Sequence, residues 1–210
     1  MKNKKFSQID ASVPTIRRLP SYLNVIRRAL NNNLKVISGT VIASELELEP
    51  IQVRKDLAVT GIVGKPRVGY DVKELKNAIE SFLNWDKQHK AIVVGTGNLG
   101  TALIGYPGFK QNGMNIVCAF DSSVDKIGKQ ILGVEVYGLK DLKDKLKNEK
   151  IDIAILTVPS EVAQQVTELL IETGVKSIWN FTNEKLKVPE DVLVLREDLS
   201  SSYAVLSVCQ

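Results

Sequence analysis

The stretch Ala91-Ile92-Val93-Val94-Gly95-Thr96-Gly97-Asn98-Leu99-Gly100 decides how the rest of the chain is read. Four apolar residues predict a buried strand, and the Gly-x-Gly-x-x-Gly after it opens a helix expected to run to about Tyr106. Glycines are common in turns, so the triplet alone is weak. Its setting strengthens it. A second apolar run, Ile116–Asp121, ends on a carboxylate 21 residues beyond Gly100. In such a unit Gly95 permits the tight turn, Gly97 lets a pyrophosphate approach the backbone, and Gly100 lets helix and strand pack closely. Unpaired N–H groups along Thr96-Gly97-Asn98-Leu99 and the partial positive charge of the helix start suit phosphates. Asp121 can accept both ribose hydroxyls of an adenosine and would repel a 2′-phosphate. Ser122 and Ser123 follow it rather than Arg, so the expected ligand is NADH or NAD+ and not NADP(H). The alternative is an ordinary glycine turn with a capping Asp.

Beyond Asp121 strands and helices alternate. Strands are expected at Val134–Tyr137, Ile151–Val158, Lys176–Trp179 and Val192–Leu195, with helices at 140–148 and 161–173. Alternation of this kind predicts an α/β, Rossmann-like, doubly wound and mostly parallel sheet. Ligands of such sheets lie beyond the carboxyl ends of the strands. Thr157, Val158 and Pro159 are therefore candidate lining residues, as are Asn180 and Phe181 after the fifth strand. Asn180 can bond a carboxamide or nearby backbone.

Hydride transfer to a carbonyl usually needs a proton donor, often His, Lys or Tyr. His89, the only histidine, falls in a polar hinge, Asp86-Lys87-Gln88-His89-Lys90. Tyr106 and Lys110 have the Tyr-x-x-x-Lys spacing of an acid pair, but Pro107-Gly108 breaks the helical face they would share. Cys118 and Cys209 make no metal-ligand pattern and no disulfide framework, which fits a reducing cytoplasm. The expectation is ligand sensing rather than turnover, with no catalytic residue and no metal. The alternatives are an NAD-dependent oxidoreductase and a coenzyme A-binding protein.

The part before the hinge has a different character. Residues 1–90 carry 16 Lys/Arg against 9 Asp/Glu, a net of +7, whereas residues 91–210 carry 12 against 15, a net of −3. A basic first part can face nucleic acid. Ile16, Leu19, Leu23, Ile26 and Leu30 form a helical stripe within 14–31, which Pro20 is expected to break or restart. A short helix capped by Ser38 or Thr40, with Val41, Ile42 and Leu46 inward, leads through Glu47-Leu48-Glu49 to a helix at 50–59. There Ile51, Val53 and Leu57 are expected to face inward. Two short helices so closely joined predict a helix-turn-helix. Ile62-Val63, Gly64-Lys65-Pro66-Arg67 and Val68-Gly69-Tyr70 read as a hairpin, the wing of a winged helix. Arg54 and Lys55 on the third helix can reach base edges and phosphates, and Lys65 and Arg67 can enter a minor groove. Arg17, Arg18, Ser44 and Gln52 complete the candidate DNA contacts.

The 210 residues, 44% hydrophobic and 25% charged, exclude a disordered, collagenous or disulfide-stapled chain. No run approaches the length needed to span a bilayer, and Met1-Lys2-Asn3-Lys4-Lys5 lacks the apolar core of a signal peptide. The expected organisation is a winged-helix domain over 1–88, a dinucleotide domain over 89–196 and a C-terminal helix over 197–210.

With these motifs in order, the chain resembles the redox-sensing transcriptional repressor Rex family. The resemblance is carried by Thr15-Ile16-Arg17-Arg18-Leu19-Pro20-x-Tyr22, Gln52-Val53-Arg54-Lys55-Asp56-Leu57 and Gly69-Tyr70-Asp71-Val72. It continues through Gly95 to Gly100, Tyr106-Pro-Gly-Phe109, Phe120-Asp121, Leu156-Thr157-Val158-Pro159, Asn180-Phe181 and Asp198-Leu199-Ser200. It implies a homodimer that binds a palindromic operator and releases it when NADH favours a closed state. It also implies a C-terminal helix packed into the partner, with Leu199, Tyr203 and Leu206 as its apolar stripe. Tyr106 and Asp198 fall on a cofactor-responsive network of the family. Asn98 stands where some relatives have arginine, and Pro66 puts a proline at the wing tip.

Overall fold

In a computed structural model, residues 11–209 are described; the basic stretch Met1–Lys5 lies outside them. The chain divides into two units between Lys87 and Gln88.

The first unit runs α1 (Val13–Asn31), β1 (Val36–Ile37), α2 (Gly39–Glu45), α3 (Pro50–Ala58), β2 (Tyr70–Asp71) and α4 (Val72–Phe82). The Ser12 hydroxyl caps α1 by accepting from the Thr15 N–H at 3.2 Å. The helix continues unbroken through Pro20, against the expected break. An interior proline costs about 3 kcal/mol. Leu19, Tyr22, Leu23 and Ile26 on either side of it are wholly buried, and each contributes about 1.5–3 kcal/mol. Burial outweighs the lost bond.

Ser38, not Thr40, caps α2, accepting from the Val41 N–H at 3.2 Å. Ile42 and Ala43 face the core, while Val41 is 49% exposed. Ile51 is 58% exposed, also against expectation. At about 100° per residue Ile51 lies some 200° around α3 from Val53, so both cannot face one core. The inward side of α3 is Val53, Asp56 and Leu57. The wing is smaller than expected. The Lys65 N–H donates to the Gly69 carbonyl (2.7 Å) and the Gly69 N–H to that of Lys65 (2.9 Å), closing a tip of Pro66-Arg67-Val68. Ile62-Val63 forms no strand; instead β2 pairs antiparallel with β1. Gly69 has φ +104°, and a Cβ there would lie 2.4 Å from the Ile37 carbonyl oxygen, so the crossing needs glycine. Asp71 caps α4, accepting from the Lys73 and Glu74 N–H groups.

One charge is buried in this core. The carboxylate of Asp56 accepts from the Arg18 guanidinium at 2.6 and 2.9 Å. It also accepts from the Tyr22 hydroxyl at 2.6 Å, the Thr15 hydroxyl at 3.1 Å and the Gln52 amide at 2.9 Å. Burial works to raise the Asp56 pKa. The bonds from Arg18, Tyr22, Gln52 and Thr15 outweigh it and hold the carboxyl below its ordinary value. Burial, with the bond to Asp56, pushes the Tyr22 hydroxyl up to about 12.

The second unit runs β3 (His89–Val94), α5 (Asn98–Ile104), α6 (Pro107–Gln111), β4 (Met114–Asp121), β5 (Gln130–Ile131), β6 (Val134–Gly138), α7 (Leu142–Leu146), β7 (Ile153–Leu156), α8 (Ser160–Glu172), β8 (Ser177–Asn180), β9 (Leu193–Arg196) and α9 (Leu199–Val208). The sheet order is β5-β6-β4-β3-β7-β8-β9. All pairs are parallel except β5 with β6. This is the doubly wound sheet that the alternation predicts, and its order reverses at β3. Ile92 and Val94 pack with Ala163, Val166 and Leu170, while Val93 packs on the other face with Leu103 and Phe109. The short α6 and β5 were not expected. Pro107 starts the first, and Gly133 at φ +86° turns the hairpin of the second. Cys118 is buried and its thiol is pushed up to about 11, chiefly by that burial, while Cys209 is exposed. In α9 Leu199, Tyr203 and Leu206 are all more than 60% exposed. No described helix is long and apolar enough to cross a membrane.

Replacing Asp56 by Ala leaves Arg18 and Tyr22 without their buried acceptor. The first unit should lose about 3 kcal/mol, read from urea unfolding of the full chain by the fluorescence of Trp85, which packs on this core. A carboxyl with a lowered folded pKa stabilises fully above its unfolded value and loses that contribution as pH falls through the folded one. The gap between wild type and Asp56→Asn should therefore be constant above about pH 4 and narrow below it. A gap that widened in acid would contradict the assignment.

Candidate dinucleotide cleft and nucleic-acid interface

At the carboxyl ends of β3, β4, β6 and β7 lies a cleft of about 500 Å³ lined by Gly95, Gly97, Asp121, Ser122, Lys126, Leu139, Thr157, Val158, Pro159 and Val162. Its floor is a close approach of two backbone turns. Gly95 has φ +96°, and a Cβ there would lie 2.8 Å from the Thr157 carbonyl. The Thr157 hydroxyl donates to the Gly95 carbonyl at 2.6 Å. A Cβ on Gly100 would fall 2.0 Å from the Gly95 carbonyl oxygen, so α5 packs against the turn only because residue 100 has no side chain. At Gly97 the same atom would meet nothing within 4 Å. Its smallness serves no internal contact and leaves the cleft open where a phosphate would approach.

Asp121 anchors the other end. Its Oδ2 accepts from the Thr96 N–H (2.8 Å), the Thr96 hydroxyl (2.5 Å) and Lys126 Nζ (3.1 Å). Its Oδ1 accepts from the Ser123 N–H at 2.9 Å and keeps capacity for a further donor. Burial works to raise its pKa; the bonds from Thr96, Ser123 and Lys126 overcome that and hold it at about 2. The carboxylate is thus charged at any physiological pH. Lys126 Nζ also donates to the Thr96 carbonyl at 3.0 Å. A glycine cradle, an ionised acceptor and an open approach at Gly97 fit a nucleotide diphosphate.

Other expected residues lie elsewhere. Thr96 is buried, and its N–H and hydroxyl both donate to Asp121. Asn98, the first residue of α5, is exposed, and Leu99 is partly buried. Asn180 is buried, donating to the Glu184 carbonyl (3.0 Å) and accepting from the Thr182 N–H (2.9 Å), so its amide shapes its own loop. Phe181 packs on Trp179, and Trp179 on Phe109. Tyr106 stacks edge-on to Phe109 and borders a separate hollow with Lys110 and Leu132. Asp198 caps α9 through the Ser200 N–H and lies 3.9 Å from Arg196. The sequence reading missed Lys126, Leu139 and Val162. Leu139 follows the end of β6 and Val162 the Thr-Val-Pro turn, so the strand-end rule reaches both; no spacing rule points to Lys126.

On the first unit, Arg54, Lys65 and Arg67 border one cleft of about 440 Å³ with Ser38, Thr40 and Tyr70. Arg67 stands at φ +61°, second in the turn after Pro66. Lys55, Ser44 and Arg17 are exposed. Arg18 and Gln52 are instead tied to Asp56, Arg18 bracing α1 against α3 and Gln52 bonding along α3 itself. Among the described residues no group of three or more His, Cys, Asp or Glu could hold a metal ion.

Fold and site together define a winged-helix DNA-binding head joined to a dinucleotide-binding unit. Residues 10–58 match the family described as putative DNA-binding protein N-terminus, and residues 86–184 match CoA binding domain. The chain is 57% identical to a redox-sensing transcriptional repressor Rex of Treponema denticola over 94% of each chain. It is 37% identical to a Rex of Bacteroides thetaiotaomicron, covering 97% of this chain and 94% of the relative. The crystal structure of RSP with NAD+ and operator DNA matches at TM-score 0.88 and 36% identity, over 95% of this chain and 92% of RSP. That of RSP with NADH matches at 0.85, over 95% and 94%. This chain belongs to the redox-sensing transcriptional repressor Rex family.

The glycines separate two kinds of effect. Gly97→Ala should lower the unfolding temperature only slightly, through the loss of an N-cap glycine on α5, and weaken NADH binding at least tenfold by calorimetry. Gly100→Ala should lower the unfolding temperature of the second unit, because α5 must move off β3. Equal effects of the two on stability would remove the distinction.

Proposed function

We propose that the protein is a transcriptional repressor that reports the NADH/NAD+ ratio. The observation that carries this reading is the Gly95–Gly100 cradle closed by an ionised Asp121, on a chain that also bears a basic winged helix. The RSP structures with NADH, and with NAD+ and operator DNA, support it, as do relatives named as transcriptional repressors. In this reading residues 1–88 hold DNA, 89–196 the dinucleotide, and the helix in 197–210 a homodimer partner. Gly97 and the start of α5 hold the pyrophosphate, and Asp121 the ribose hydroxyls. Thr157, Val158, Pro159, Asn180 and Phe181 line or shape the nicotinamide end. Arg54 and Lys55 enter a major groove, with Lys65 and Arg67 on the minor groove or backbone and Arg17 and Ser44 on phosphates. Tyr106 and Asp198 relay the ligand state in a closed dimer. The protein acts in the cytoplasm and turns nothing over.

No covalent step is needed. The shift can be no larger than the difference in NADH affinity between the two states, and DNA must weaken NADH binding by the same factor. A second reading, coenzyme A binding, is favoured by the family description over residues 86–184. Asp121 argues against it, because coenzyme A puts a phosphate on the ribose where a carboxylate stands.

Fluorescence anisotropy of a labelled palindromic operator of the Rex type, at fixed salt, tests both. NADH should release the duplex, while NAD+ and coenzyme A should not. Asp121→Ala should weaken the NADH response about tenfold or more and spare DNA binding. Arg54→Ala should weaken the duplex by roughly five- to a hundredfold and spare NADH binding. Release by coenzyme A, or binding indifferent to NADH, would overturn the reading.

A further inference from the structure

The outer face of α3 carries an apolar side chain that no core contact explains. Val53, Asp56 and Leu57 are buried, and Ile51, Arg54, Lys55 and Ala58 are exposed. Those four stand at i, i+3, i+4 and i+7, one continuous stripe along the helix. Exposed apolar residues are ordinary on protein surfaces. Ile51 is set apart by its place. It lies in the first turn of the second helix of a helix-turn-helix, where such helices touch base edges. Two cations, Arg54 and Lys55, follow it on the same stripe and suit a phosphate-lined groove. Pro50 starts α3 just before it and keeps that turn wound.

Resting on the repressor reading above, we propose that Ile51 is a specificity-determining residue of the DNA interface, packing on the 5-methyl group of a thymine in the major groove. The chemistry is selective. That methyl is the apolar group a base pair presents there, and it marks thymine against cytosine and against both purines. An isoleucine offers no hydrogen bond, so it adds nothing at other edges and leaves their polar groups unpaired. Its position relative to Arg54 fixes the neighbourhood. Residues three apart rise about 4.5 Å along a helix, comparable with one base-pair step of about 3.4 Å. A thymine read by Ile51 therefore lies about one step from the base that Arg54 reads.

The test needs no prior operator. Duplexes are selected from a randomised library with the full-length chain, and each thymine of the selected site is replaced in turn by uracil, which lacks only the methyl. At one position in each half-site the replacement should weaken wild-type binding roughly fourfold, the worth of one buried methyl. The same replacement should leave Ile51→Ala unchanged, and Ile51→Ala selections should lose the thymine preference there while NADH binding stays as in wild type. Uracil costing both proteins equally at every position, or costing neither, overturns the proposal while the repressor reading stands. Failure to select any duplex removes both.

Discussion

Between the ends of β3 and β7 two backbone turns approach so closely that a single methyl would not fit. Gly95 and Gly100 make that approach possible, and the Thr157 hydroxyl ties it shut on the Gly95 carbonyl. The geometry of the second unit follows from it. The strand order reverses at β3, so loops on either side diverge and leave a crevice over the turn. Asp121 enters that crevice from β4 and is bound to the turn through both donors of Thr96. These bonds tie the cradle and its carboxylate together without help from a ligand group. Preorganisation of this kind lowers the ordering cost of binding.

The first unit uses a carboxylate for a different end. Asp56 occupies a core position of α3 and gathers donors from α1 and from its own helix. A buried charge pair is poor evidence for net stability, since well-packed apolar residues often do as well. Its consequence here is register. Arg18, Thr15 and Tyr22 meet Asp56 at one rotation of α3 about its axis, which turns Arg54 and Lys55 outward. Val53 and Leu57 anchor α3 in the core, and the polar tie at Asp56 adds directional contacts to that packing.

The doubly wound sheet was legible because its signal is repeated. Apolar runs recur between helical patterns, and the glycine triplet falls at one junction. Asp121 was legible because it terminates a strand at a known spacing from that triplet. What escaped was whatever depends on a single local balance. Pro20 looks like a breaker, yet the core on both sides outweighs it. Ile51 looks like core, yet Pro50 and the pull of Asp56 set the helix phase, and a polar residue takes the inward place. Asn180 looked equally suited to ligand or loop, and its amide is engaged in its own turn. Lys126 was invisible because its Nζ reaches Asp121 through a loop whose path no spacing records.

A switch driven by ligand binding is limited by arithmetic. Moving a two-state equilibrium from 1:99 to 99:1 needs a ligand that prefers one state about ten-thousandfold. A preformed cradle binds well in any state that leaves it intact, and equal binding shifts nothing. The cradle and Asp121 can therefore supply affinity, but discrimination between states must come from groups whose surroundings differ between them. Within the second unit the candidates are those the cradle does not hold. Tyr106 is 56% exposed, and Leu199 and Tyr203 of α9 are 67% and 71% exposed. Among the described residues their apolar surface has little cover; its burial in one state sets the balance between the states without ligand, and it adds to discrimination only where the ligand itself touches those side chains. At about 25 cal/mol per Å², roughly 100 Å² of such burial amounts to about 2.5 kcal/mol, near the 1:99 starting bias that the ligand's own preference has to reverse.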